Sequence, residues 1–156
     1  MNQIASLKTK ITIGFLSQLD HMEPRTKPDF RVYLIPAVIA FIHGLLSVFG
    51  LSQGLEYYFW FAAIIIGAVL LGIGKQKNIV VSSLLIGLLI AAATGIPQTV
   101  FIEIYFENNP EYLTLGETLP MSPRMFILLL TPVVGVGIGL VVLTMGWIIA
   151  QIKSKI

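Results

Sequence analysis

His43 is the residue in this chain whose chemistry stands out first, because it lies in an uncharged run, Val32–Leu55, that contains no carboxylate. An ionisable group inside a membrane is costly and often works as a proton relay or a ligand-binding residue. The plainer reading is a neutral imidazole hydrogen-bonded between helices. One histidine does not choose between the two. A second group is Thr94, Gln98, Thr99 and Glu103, set around Gly95 and Pro97, with Thr131 next to Pro132 in a later run. Polar side chains beside prolines in apolar helices have the pattern of broken helices that line binding sites. The same residues serve equally well as interhelical hydrogen bonds at ordinary kinks. Gln98 and Glu103 are about one and a half turns apart and do not share a face well.

Other chemistries are excluded by what is missing. There is no cysteine, so disulfides, thiol catalysis, iron–sulfur clusters and cysteine-based zinc sites are ruled out. The other histidine, His21, falls in a hydrophilic stretch, which leaves a bis-histidine haem without a second ligand at depth. No apolar run holds paired carboxylates, and no Ser, His and Asp lie at matching depths. The glycines at Gly135, Gly137 and Gly139 lack a following Lys and Ser/Thr and follow no strand, so they read as helix packing rather than a phosphate loop. The expectation is a protein that is not an enzyme, with no cofactor and no metal.

The elements that must hold these residues follow from composition. Of 156 residues, 56% are hydrophobic and 12% charged, with a mean hydropathy of +0.87. Soluble domains are about 25% charged. The uncharged runs place spans at about 32–54, 57–74, 79–105 and 125–150. Each is long enough, at about 1.5 Å per residue, to cross most or all of a hydrocarbon core of about 30 Å. The expected fold is an all-α integral membrane protein, a four-transmembrane-helix bundle forming one domain over 32–152. Gly95–Pro97 is the expected place for a break or kink in the third span.

Around that bundle lie three polar segments. Residues 1–31 read as a cytoplasmic amphipathic segment and linker, with Ile4, Leu7, Ile11, Phe15 and Leu19 at helical spacing and no signal-peptide pattern. The 106–124 loop is expected to carry a short helix from Pro110 to Leu115, with Asn109 as its N-cap. Residues 153–156 form a cytoplasmic tail.

Small residues recur every four positions in each span: Ala40 and Gly44, Ala68 and Gly72, Gly87, Ala91 and Gly95, and Gly135 and Gly139. Such ridges let helix backbones approach closely in lipid. Charge sets the orientation. Of the ten Lys and Arg residues, all but Arg124 fall on the side of the two termini in a four-span layout. Positive residues stay inside, so both termini are expected in the cytoplasm, with the chain in a plasma or inner membrane. The net charge of +2 is then a matter of topology, and nucleic acid is not an expected partner. The expected partners are the lipid bilayer and either other membrane subunits or further copies of this chain. The function expected is a non-catalytic subunit or assembly component of a membrane complex. The alternative is a homo-oligomeric channel or transporter lined by the third and fourth spans.

Overall fold

The computed structural model describes residues 29–74, 76, 78–112 and 121–155. The amphipathic segment expected over 4–19, the linker up to 28, Lys75, Lys77 and residues 113–120 lie outside the described residues. Among the described residues the structure is all-helical. The helices are α1 (Arg31–Val48), α2 (Glu56–Ile73), α3 (Ile79–Val100), α4 (Ile102–Asn108) and α5 (Pro123–Lys153). Four of them, α1, α2, α3 and α5, are long and apolar enough to span a membrane.

The ends follow from local chemistry. Asn78 Oδ1 accepts from the Val81 N–H at 3.1 Å and starts α3. Ser122 Oγ does the same for Met125, with Pro123 in the first turn of α5, where its missing N–H has no helical partner to lose. At the other end of α5, Lys153 Nζ donates to the Ile73 carbonyl at 2.8 Å and so closes the last turn of α2.

Three boundaries differ from the sequence reading. The first span stops at Val48 rather than near 54, because Gly50 and Gly54 take φ of 68° and 76° and turn the chain back. The third does not break at Gly95–Pro97. It runs through Pro97 to Val100, and leaves helical geometry only at Phe101, at φ −105° and ψ 38°. The expected span to 105 is therefore two helices, α3 and α4. The fourth is longer than 125–150, covering 31 residues, because the Ser122–Pro123 start and the Lys153 end both extend it. Of the short helix expected from Pro110, Glu111 and Tyr112 are helical and the remainder is outside the described residues.

Around the bundle the order is α1, α2, α5, α3, with α1 opposite α5 and α2 opposite α3; the contact between α3 and α5 is the most extensive. Helices α1 and α3 run one way, α2 and α5 the other. Each of three sides closes on a glycine. A Cβ on Gly87 would overlap the backbone of both Gly135 and Gly139, so α3 and α5 touch main chain to main chain. A Cβ on Gly72 would come 2.7 Å from the Gly146 carbonyl oxygen, at the α2–α5 contact. One on Gly44 would come 2.7 Å from the Thr94 carbonyl oxygen, at the α1–α3 contact. Close approach of this kind maximises dispersion and Cα–H···O contact where lipid offers no hydrophobic drive. The core between these seams is Val32, Ala40, Ala63, Ala68, Leu71, Ile86, Ile90, Ala91, Ile138 and Val142.

Candidate functional site: a cavity between α2, α3 and α5

The α2–α5 pair is tight at one end only. At Gly72 and Gly146 the two helices touch; toward Trp60 and Ile127 they part, leaving an open-sided cavity of about 180 Å³. Its floor is one face of α3, made of Ala91, Thr94, Gly95 and Gln98. Those positions fall at three- and four-residue steps and therefore share a face. Trp60 forms the α2 wall, and Ile127, Leu130, Thr131 and Val134 form the α5 wall.

The polar atoms here are held by the scaffold. Gln98 Nε2 donates to Ser47 Oγ at 3.0 Å, reaching across to α1. Thr94 Oγ1 lies 3.3 Å from the Ala40 carbonyl and 3.2 Å from the Ile90 carbonyl, so its proton serves α1 or its own helix. Thr131 Oγ1 donates to the Ile127 carbonyl at 2.7 Å and sits against Gly95, where a Cβ would come within 2.8 Å of it. No ionised side chain lines the cavity.

The structure thus brings together three of the six polar residues picked out in the sequence, Thr94, Gln98 and Thr131. His43 is one layer away. It is 3% exposed, stacks on Phe59 at 5.3 Å between ring centroids, and meets Trp60 edge-on at 5.9 Å. Its Nε2 is buried without a hydrogen-bond partner among the described residues. Thr99 turns away, because one residue beyond Gln98 is about 100° around the helix; its hydroxyl donates to the Gly95 carbonyl at 2.8 Å. Glu103 lies beyond the Phe101 break, on α4, with its side chain 88% exposed and 3.6 Å from Arg124. That pair is too exposed to contribute much stability.

No family model, curated protein or solved structure matches this chain. The site must be read from its own chemistry. Among the described residues no group of His, Cys, Asp or Glu is placed to hold a metal ion.

Sequence reasoning missed a second polar cluster, where α4 meets the end of α1. Asn109 is 2% exposed, and its Nδ2 donates to the Ser47 carbonyl at 2.9 Å and the Tyr105 carbonyl at 2.7 Å. Asn108 Nδ2 donates to the Val48 carbonyl at 3.2 Å and the Ile104 carbonyl at 2.9 Å. The last carbonyls of α1 have no helical donors: the Gly50 and Leu51 N–H groups of the turn reach Ser47 and Leu46, and the two asparagines add donors at Ser47 and Val48. The Asn-Asn pair is visible in the sequence, but there Asn109 reads as the cap of a helix starting at Pro110, whereas its side chain turns back toward α1. Tyr105, buried in the same cluster, stacks on Tyr112 at 5.8 Å. Burial chiefly, then Tyr112, push its ionisation above the ordinary tyrosine range. Its hydrogen bond with Ser47 pulls the other way, and Glu111 and Glu56 add to the rise.

Proposed function

We propose that this chain is an integral membrane protein acting as a non-catalytic subunit or assembly component of a membrane complex. Its place would be a plasma or inner membrane, with both termini cytoplasmic. The observation that carries the reading is Gly137. It lies at the middle of α5, whose most apolar stretch is the least covered of the four spans at 22% buried, and a Cβ built there meets nothing within 4 Å. The other glycines on α5, Gly135, Gly139 and Gly146, are each consumed by an internal contact. Glycine in a helix interior costs about 0.5–1 kcal/mol relative to alanine, a cost that close approach of a second helix offsets. Val133 and Val141, one turn to either side, are also exposed, giving that face the groove of a helix-packing surface.

The alternative is a homo-oligomeric channel or transporter, whose path would run between copies of this chain. A path between α3 and α5 would have to part the Gly87–Gly135–Gly139 seam, where backbones touch. The cavity at Gln98 is bounded by that seam. Orientation rests on charge: Arg31, Lys153 and Lys155 share one end of the bundle, and Arg124 at the other end is paired with Glu103.

A photo-crosslinking residue at position 137, in the chain's own membrane, tests the subunit reading. Crosslinking to a different membrane protein is expected, with none from position 135 on the internal face. Crosslinks to lipid alone from position 137 would remove its support.

A further inference from the structure

We propose that the cavity between α2, α3 and α5 is a binding site for a small neutral molecule of the bilayer that carries a hydroxyl on a ring. Four observations lead there, none of which depends on the subunit reading. The first is size. An engineered protein cavity of about 150 Å³ holds benzene, and this one, at about 180 Å³, has room for one ring with a substituent.

The second is charge. The walls are Trp60, Ile127, Leu130 and Val134, and the polar groups are an amide and two hydroxyls. An ion entering would lose its hydration with no counter-charge, a penalty of several kcal/mol, so the occupant is neutral.

The third is hydrogen-bonding capacity. Gln98 is fixed by one N–H to Ser47 Oγ. An amide has a second N–H and a carbonyl oxygen. Thr131 spends its proton on Ile127, and its oxygen lone pairs remain acceptors. A hydroxyl both accepts and donates, so it can pair with the Gln98 N–H as well as with the Gln98 carbonyl or the Thr131 oxygen. A ketone or ether satisfies only the donor.

The fourth is access. Leu130 and Val134, on the α5 wall, are exposed on the outside of the bundle. The mouth therefore opens sideways, across the surface that lipid covers, and the entrant comes from the bilayer. The Trp60 wall is steadied by the His43 and Phe59 rings behind it, which favours a preformed site over one that must open.

The test uses the chain's two tryptophans, Trp60 and Trp147. Trp147→Phe leaves Trp60, in the cavity wall, as the sole tryptophan, excited at wavelengths where tyrosine does not absorb. The protein is reconstituted in lipid nanodiscs at neutral pH and titrated with 4-bromophenol, whose bromine quenches tryptophan. Bromobenzene is the matched probe without the hydroxyl. Saturable quenching by 4-bromophenol is expected, with bromobenzene about three- to tenfold weaker, the ratio that one net hydrogen bond gives. Adding Gln98→Leu should shrink the preference for the phenol, and Gln98→Leu with Thr131→Val should bring the two probes level. The Trp60→Phe chain, reporting through exposed Trp147, should be quenched only in proportion to probe in the lipid. Quenching of Trp60 that rises without saturation, or equally for both probes, overturns the site. So does a folded Gln98→Leu, Thr131→Val protein that keeps the preference for the phenol. If these variants fail to fold, the comparison of the two probes on the Trp147→Phe chain decides alone.

Discussion

The side-chain amide of Asn109 lies 2.9 Å from the main-chain oxygen of Ser47, in a position almost closed to solvent. One residue beyond α4 thereby closes the last turn of α1, a helix some sixty positions earlier in the chain. Ser47 is doubly engaged, because its hydroxyl also accepts from Gln98 on α3. The contact joins three helices at one end of the bundle. Asn109→Leu is expected to lower unfolding stability by about 1–3 kcal/mol, the cost of removing a buried amide that donates to the Ser47 and Tyr105 carbonyls. Asn109→Asp is expected to be at least as damaging, because an ionised carboxylate donates nothing and faces two carbonyl oxygens. Denaturation followed by circular dichroism in detergent measures both. A Leu variant as stable as the parent would show that the tie contributes nothing.

Two glycines on neighbouring helices separate packing within the chain from packing outside it. Gly87→Ala is expected to destabilise by about 1–3 kcal/mol, since its methyl would have to enter the backbone of Gly135 and Gly139. Gly137→Ala is expected to leave the stability of the isolated chain unchanged or slightly improved, because its methyl meets nothing. The same thermal melts, run side by side, make the comparison.

Topology can be read by chemistry against no background, because the chain has no cysteine. A cysteine replacing Glu111 is expected to react with an impermeant thiol reagent in intact cells. One replacing Ser154 is expected to react only after the membrane is opened. The reversed pattern would turn the bundle over.

Alkaline pH should loosen the α1–α4 corner. Tyr105 ionises above the ordinary tyrosine range when folded, chiefly through burial and then through Tyr112. In the unfolded chain it ionises near pH 10. The neutral phenol is therefore favoured by folding, and stability is fully present below about pH 10 and is lost as pH rises past it. Tyr105→Phe, which has no proton to release, is expected to flatten that loss. Stability measured from pH 9 to 11 in both chains checks the sign; parallel curves would contradict it.

Much of the bundle was legible in the sequence because the bilayer imposes a simple requirement. Uncharged runs of sufficient length give the four long helices, and their glycines and alanines at four-residue spacing fall on the seams. What misled was local. Pro97 has the look of a break or kink, and α3 runs through it without a break, with the Ala93 and Thr94 carbonyls lying against Gly44 of α1. The packing that holds this region comes from a residue some fifty positions away, and nothing near Pro97 announces it. Thr94, Gln98 and Thr131 were legible as polar residues beside prolines in apolar runs, and Gln98 and Glu103 as lying on different faces. Trp60 as their wall was not, because α2 and α3 lie diagonally across the bundle, and which helices are diagonal is decided by all four together. Glu103 failed as a member for a local reason again, the break at Phe101.

The mass of the complex extracted from its own membrane in a mild detergent bears most directly on the subunit reading. The chain contributes 17.1 kDa per copy. The expected result is a stable assembly in which other polypeptides accompany this chain in fixed ratio, with a mass that no whole number of copies reproduces. A symmetric assembly of this chain alone, passing solute when reconstituted by itself in liposomes, would contradict that reading and establish the channel in its place.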